Sequence, residues 1–266
     1  MSPQSNLALS EGFAGMNSDF SIISYREVEL LVYLPWWRAG LVHGMSTTTL
    51  PGSRKSLADS AQHMCGALGI DHLALPLQCH GADVLDLRDV RQHEAMLAEH
   101  GDLVRRRSSD AILAPLVQQV AGVTTGYGIV TADCVPILIR GVDGFALVHA
   151  GWRGLANGVI RNALSNIERP CQALVFACAG GRMYEVGREV LEAIGSQSVF
   201  VASPHRSDAF MLDTGATAIK ELRDECPDIQ TFAADVCTIS DTRFHSFRRD
   251  GEVAGRAITF VVPPRT

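Results

Sequence analysis

Thr131 to Gly154, TADCVPILIRGVDGFALVHAGWRG, sets one cysteine and one histidine at the ends of two apolar runs. Cys134 precedes the run 136–139, His149 follows the run 145–148, and Gly141-Val142-Asp143-Gly144 separates them. Two short apolar runs around a Gly/Asp break predict a strand pair joined by a tight turn. Antiparallel pairing would bring Cys134 and His149 side by side at the open end of that hairpin. A thiol beside an imidazole makes either two ligands of a metal or a nucleophile with its base. Both readings stand at this point.

The remaining chain bounds the setting. Its 266 residues can bury a substantial core, and 47% hydrophobic with 20% charged residues is ordinary for a globular protein. A net charge of −6 argues against nucleic acid as a partner. Arg105-Arg106-Arg107 and Arg248-Arg249 are basic clusters, but neither extends into a stripe. No run reaches the about 18 apolar residues of a membrane span, so no membrane partner is expected. Residues 1–20 have neither the basic start nor the apolar block of a signal peptide and read as a frayed N-terminus. Residues 21–266 then form a single domain. Seven cysteines without a CxxC point to reduced thiols and a cytoplasmic location.

Periodicity gives the elements. Residues 28–34 and 41–43 read as strands around a Pro35-Trp36-Trp37 turn. Leu57, Ala61, Met64, Cys65 and Leu68 have helical spacing, with Gly69 as the stop. Strands are expected at 72–79, 84–87, 111–113 and 129–130. Residues 87–109, with a helix-prone 89–100, read as an exposed insertion. After the hairpin, Leu155, Val159, Ala163, Leu164 and Ile167 mark one helix opened by Gly154. A strand at 173–178, a helix after Gly180-Gly181 carrying Val186 to Ile194, a strand at 199–202, a helix at 214–225 and a strand at 257–262 complete the pattern. Irregular alternation of this kind predicts an α/β chain of α+β type, with mixed β-sheets and helices packed on them.

Gln78-Cys79-His80-Gly81 ends the predicted 72–79 strand, where glycine permits close approach. His80, Cys134 and His149 together offer two imidazoles and a thiolate, a set that suits zinc with a fourth position for water. Ligands so dispersed match no local zinc motif. The blocks QCHGADV (78–84), TADCVPIL (131–138) and HAGWRGL (149–155) nevertheless resemble the three signature blocks of the laccase-domain family. His43-Gly44, Tyr184-Glu185-Val186-Gly187 and Phe247-Arg248-Arg249-Asp250-Gly251 extend the resemblance over nearly all of the chain from about Leu41. Members of that family have been called multicopper polyphenol oxidases, purine nucleoside phosphorylases and peptidoglycan editing factors.

The resemblance implies a zinc site of His80, Cys134 and His149 in a fold related to the catalytic fold of the cytotoxic necrotizing factor. It also implies phosphorolysis of adenosine, inosine and methylthioadenosine, and adenosine deamination, so that the partners are a purine nucleoside and phosphate. Zinc lowers the pKa of bound water to about 7 in favourable sites, which suits attack on C6 of adenosine. Two segments depart from the family pattern: Ser46-Thr47-Thr48-Thr49 replaces Arg-Gly-Gly, and Ala177-Cys178-Ala179-Gly180-Gly181 replaces a proline-cysteine pair. Both are expected to border the pocket.

Arg153 is the candidate for phosphate, since its guanidinium forks onto two oxygens; pairing with a surface carboxylate is the competing reading. Arg182 is a second anion candidate. Asp133 is either a base or an orienting carboxylate, and Trp152 either stacks on a purine or packs in the core. Asp110 and Glu185 carry no assigned role, and Arg248, Arg249 and Asp250 read as an ion-paired turn. His63, His72, His93, His100, His205 and His245 read as surface or hydrogen-bonded histidines. A metal-free alternative makes Cys134 the nucleophile and His149 the base of an amidohydrolase acting on a peptidoglycan precursor. Copper-dependent phenol oxidation needs more histidines than converge here. A purely structural metal would need a fourth protein ligand, such as Cys79 or His43.

Overall fold

The computed structural model describes residues 17–100, 104–118 and 122–265. Most of the stretch read as a frayed terminus, residues 1–16, lies outside them. The first strand already opens at Phe20. Strands β1 (Phe20–Tyr25) and β2 (Val28–Tyr33) pair antiparallel. Helix α1 (Leu34–Arg38) replaces the expected turn, with Pro35 in the first helical turn, where its missing N–H costs nothing. Strand β3 (Val42–Ser46) follows. Helix α2 (Leu57–Leu68) starts at Ser56, whose side chain accepts from the Asp59 N–H, and ends at Gly69 with φ 68°. Next come β4 (His72–Leu77), β5 (Val84–Asp86), α3 (Val90–His100), β6 (Val104–Ser108), β7 (Ala111–Pro115) and β8 (Thr125–Thr131).

The predicted hairpin is present as β9 (Val135–Arg140) and β10 (Gly144–Ala150), with His149 opposite Pro136 and Ala150 opposite Val135. The single helix expected after it is two, α4 (Trp152–Ala156) and α5 (Val159–Ser165), because Gly158 takes φ 76° between them. Then follow β11 (Gln172–Val175), β12 (Glu185–Gly187), α6 (Arg188–Ile194), β13 (Phe200–Ala202) and β14 (Ala209–Leu212). Val186 thus sits in a strand, and Gly180-Gly181 leads into a turn rather than a helix. Helix α7 (Thr214–Glu225), β15 (Gln230–Ala233), α8 (Phe247–Asp250) and β16 (Ala257–Val262) close the chain.

Among the described residues the strands make two large sheets and a small one. One runs β1-β2-β3-β16-β8-β4-β6, the other β15-β11-β9-β10-β7-β5, and the third β12-β14-β13. Parallel pairs (β4 with β6 and β8, β5 with β7, β11 with β15) mix with antiparallel ones. Successive strand residues face opposite sides, and here both sides are apolar. On β10, Phe145 and Leu147 join a core between the two large sheets, with Leu31, Met45, Tyr127 and Val261 from the other sheet. Ala146, Val148 and Ala150 face the other way and pack under Val159, Ile160, Leu191 and Leu222 of α5, α6 and α7. The outer face of the first sheet (Leu30, Val32, Leu73, Phe260) is covered by Ala61, Met64 and Leu68 of α2. The architecture is therefore four layers, helix–sheet–sheet–helix, a mixed α/β single-domain arrangement as the sequence predicts.

The 87–109 segment corrects the expectation of an exposed insertion. β6 pairs with β4, and Leu87, His93 and Met96 are buried, Leu87 and Met96 in the core between the sheets. His93 sits between the Thr125 hydroxyl (3.2 Å) and the Tyr127 hydroxyl (3.3 Å). His245 is also fully buried, and among the described residues neither of its ring nitrogens has a hydrogen-bond partner. Burial pushes its pKa down to about 4, so it is held neutral.

Candidate functional site

Two loops cross from the first large sheet to the second at the same end of the sandwich, and each carries one predicted donor. The first joins β4 to β5 and holds His80; the second joins β8 to β9 and holds Cys134. His149 lies near the end of β10, on the face that carries Phe145 and Leu147 into the core between the sheets. The ligand atoms of His80, Cys134 and His149 all lie within 4.8 Å of one another. Cys134 Sγ is 3.9 Å from His80 Nε2, and the two imidazole centroids are 4.9 Å apart. The sequence brings these three together as predicted.

Asp110, to which sequence reasoning gave no role, organises the group. Its Oδ1 accepts the His80 N–H (2.9 Å) and stands 2.8 Å from His149 Nδ1. Its Oδ2 accepts the N–H groups of Gly81 (2.6 Å) and Cys79 (3.3 Å) and the Cys79 thiol (3.2 Å). Because a carboxylate only accepts, His149 carries its proton on Nδ1 and turns Nε2 toward Cys134. His80 itself takes φ 61°, and those N–H bonds fix the backbone there. Gln78 braces the same loop, its amide exchanging two 2.7 Å hydrogen bonds with the Val130 backbone as a strand residue would. The sequence shows only an acidic residue heading the apolar run of β7, a pattern that does not by itself mark a site residue.

Asp133, at φ 94°, turns the chain into Cys134. It touches neither histidine by hydrogen bond. Its carboxylate accepts the Thr238 hydroxyl (2.7 Å) and the Arg248 N–H (2.7 Å), and its carbonyl accepts the Ala179 N–H (2.8 Å). Through these bonds it braces the Cys134 loop. Gly151 closes the other side: a Cβ there would stand 2.9 Å from Cys134 Sγ and 3.0 Å from His80 Cδ2.

The donor chemistry fits a metal. Burial alone would push the Cys134 thiol up, but the two imidazoles outweigh it and bring it down to about 6. Burial alone would lower His149, but the Cys134 thiolate and Asp110 raise it to about 9. Burial likewise opposes ionisation of Asp110, yet hydrogen bonds from His149, Cys79 and Gly81 hold its carboxyl well below the usual range. A carboxylate that fixes the tautomer of a histidine beside a thiolate is the arrangement that supports metal-ligating histidines. Cys79 is tied to Asp110 and is not in the donor group. His43 is elsewhere, accepting from the Tyr33 N–H and donating to the Leu41 carbonyl. Three protein donors with a cavity beside them describe an open site rather than a closed one.

That cavity has a volume of about 530 Å³. Trp152, Tyr184 and Phe247 give it aromatic walls, and Arg153, Arg248 and Arg256 line it as well. Arg153 is exposed and lies over the Trp152 ring at 4.2 Å, with no carboxylate partner among the described residues. Trp152 both lines the cavity and packs against the core under the helices. Arg182 stands exposed in the turn after Gly181 and does not line the cavity. Neither do the two departing segments, 46–49 and 177–181, which were expected at its border. Ser46 and Thr47 are instead buried, Ser46 accepting the Ile258 N–H. Arg249 is ion-paired with Asp250 as the sequence suggested, but Arg248 faces the cavity.

Comparison with known proteins places the chain in a family and a fold. Residues 47–263 match the family model described as multi-copper polyphenol oxidoreductase laccase. A protein of Aquifex aeolicus named purine nucleoside phosphorylase is 36% identical over 199 residues, 73% of this chain and 84% of that protein. One of the same name from Xylella fastidiosa is 34% identical over 183 residues, and the match spans 65% of each chain. The crystal structure of YlmD from Geobacillus stearothermophilus superposes with a TM-score of 0.70 at 19% identity, covering 95% of this chain and 99% of that one. This last likeness is one of fold.

Proposed function

The chain belongs to the family of the multi-copper polyphenol oxidoreductase laccase domain, and from that premise we propose that it is a zinc-dependent purine nucleoside phosphorylase. Its substrates are adenosine, inosine and methylthioadenosine, with deamination of adenosine as a second activity. The observation that carries the reading is the convergence of His80, Cys134 and His149 around the aromatic-walled cavity. Bound zinc would supply a Lewis acid at the cavity wall. The chain's own residues do the remainder. Asp110 keeps the His149 proton on Nδ1 and shapes the His80 loop. Trp152, Tyr184 and Phe247 offer faces for a purine. In phosphorolysis a phosphate oxygen bonds to C1′ of the ribose as the C1′–N9 bond breaks, and the purine leaves with the bonding pair. An anion must therefore be held against the sugar, and Arg153 takes that role in this reading, supported by its position on the cavity lining and by its having no carboxylate partner among the described residues.

Product analysis on adenosine with and without phosphate tests this. The zinc-loaded protein is expected to give adenine and ribose 1-phosphate when phosphate is present, and inosine from deamination. Cys134→Ala should lose both the metal and turnover. No change in adenosine under either condition would overturn the proposal.

A second reading has its own support. A thiol brought down to about 6 beside an imidazole raised to about 9, with Asp110 behind it, also describes a Cys–His amidohydrolase with an orienting carboxylate. In that reading His80 only helps to lower the thiol, whereas the metal reading uses all three side chains as donors, which is why it comes first. A thiolate held by zinc is a poor nucleophile, so elemental analysis and the opposite effects of chelation and alkylation separate the two. Stoichiometric copper with a visible absorption band would instead point to phenol oxidation.

A further inference from the structure

Three arginines line the cavity, and each lies over an aromatic ring that lines it too. Arg153 lies 4.2 Å from the Trp152 centroid, Arg248 4.5 Å from that of Tyr184, and Arg256 6.0 Å from that of Phe247. Arg248 also donates through Nη1 to the Glu185 carbonyl (2.7 Å), and Arg256 through Nη1 to the Ala254 and Gly255 carbonyls (3.0 and 2.9 Å). Stacking on a ring fixes the plane of a guanidinium and leaves its remaining edge N–H groups free to fork onto oxygens.

What these three lack is a counter-ion. The chain is acidic overall, and Arg88, Arg161, Arg206, Arg243 and Arg249 each have a carboxylate partner. Among the described residues Arg153, Arg248 and Arg256 have none. Asp133 lines the same cavity, its oxygens accepting the Thr238 hydroxyl and the Arg248 backbone N–H, and its single charge leaves the three guanidiniums in excess. The Glu185 carboxylate accepts the Ser203 hydroxyl and faces Arg206. The cavity therefore concentrates positive charge in an acidic protein, and an anion is the missing partner.

We infer that Arg248 and Arg256, together with Arg153, form a subsite in this cavity for a phosphate-class dianion. Arg248 and Arg256 were not singled out as ligand residues by the sequence, since one looks like half of an ion-paired turn and the other stands alone. The subsite rests on the phosphorolysis reading for its role but not for its existence. Two sources share the chemistry, free inorganic phosphate and the 5′-phosphate of a nucleotide.

The test is calorimetric titration of inorganic phosphate into the metal-loaded full chain at fixed ionic strength. Arg248→Ala and Arg256→Ala are each expected to weaken binding about tenfold or more, the order of a lost charge-assisted hydrogen bond. The double variant should show no saturable heat. Arg248→Lys keeps the charge and loses the fork, so it should fall between wild type and Arg248→Ala. Arg182→Ala, outside the cavity, should bind as wild type does. Circular dichroism confirms that each variant is folded, and a misfolded Arg248→Ala leaves Arg248→Lys and Arg256→Ala to decide. Undiminished binding in folded variants, or no binding by wild type, overturns the subsite.

Turnover identifies the source. Loss of phosphate-dependent adenosine cleavage in the variants marks inorganic phosphate. Loss of a wild-type preference for AMP over adenosine marks the 5′-phosphate. If phosphate binds as expected while no nucleoside is turned over, the subsite stands and the nucleoside reaction falls. Deamination without any phosphate heat sinks the subsite alone.

Discussion

At the scale of single residues, Asp110 does more to define the site than any one donor. A fully buried carboxylate is costly unless its lone pairs are filled, and here three backbone N–H groups, a thiol and an imidazole fill them. Asp110→Asn keeps the size but turns an NH₂ group toward N–H donors, so contacts to the His80 loop or to His149 must break. The expected outcome is a fall in metal affinity of about 10- to 100-fold, read by competition with a chromophoric chelator, with a lower melting temperature of the metal-free protein. Unchanged affinity would remove Asp110 from this role. The pH dependence has a definite sign. An acid held below its ordinary value contributes stability above its unfolded pKa near 3.9 and loses it as pH falls past that value. The carboxyl's own share of the wild-type advantage over Asp110→Asn should thus shrink below about pH 4. The donors themselves are legible in the sequence, because Cys134 and His149 bracket a hairpin and His80 sits beside a glycine after a strand. Asp110 is not, because an acid before an apolar strand looks the same whether it faces solvent or the site.

At the scale of elements, legibility follows how local the determining interactions are. Helix α7 and strand β16 carry their own signals and fall where periodicity puts them. Helix α7 has an Asp213 cap accepting the Ala216 N–H at 2.8 Å. The break between α4 and α5 depends on one glycine in a left-handed conformation, which an otherwise continuous apolar stripe conceals. Strand β6, with its run Arg105-Arg106-Arg107, pairs only because β4 lies beside it, which no local pattern records. Helix α7 also holds a carboxylate that its apolar face does not lead one to expect. Glu221 is 2% exposed, and burial pushes its pKa up to about 7, against the pull of Arg161. A raised acid has its full stability below the unfolded value near 4.5 and loses it as pH rises toward the folded value. Wild type should therefore lose stability relative to Glu221→Gln between about pH 4.5 and pH 7, by about 3 kcal/mol, with the difference level above that. Denaturant titrations of both proteins across this range measure it. A difference that does not change with pH would show that Glu221 ionises as it does in the unfolded chain.

At the scale of the whole molecule, the four-layer stack is what the sequence hides most completely. Strands β7, β9 and β10 are apolar on both faces, so alternation cannot say which residues meet the other sheet and which meet helices. The stack matters for the site because His80 and Cys134 sit on loops that pass between its two sheets, and His149 sits near the end of an interior strand of one of them. Relative movement of the sheets would pull the donors apart. The core between the sheets resists that movement with large side chains from both: Tyr127, Met45 and Phe260's neighbour Val261 on one side, Phe145, Leu147 and Leu138 on the other. Neither sheet can bury its inner face without the other, so the described chain should unfold as one unit, despite a length at which separate domains are common. Differential scanning calorimetry of the metal-free protein is expected to give a single transition with matching calorimetric and van't Hoff enthalpies. Leu147→Ala, which leaves a void at the sheet–sheet contact, should cost about 2–5 kcal/mol and move that transition down without dividing it. Two separated transitions, or a Leu147→Ala variant in which part of the heat keeps its original temperature, would mean that the sheets fold independently. The metal donors would then sit across a hinge rather than inside one rigid frame.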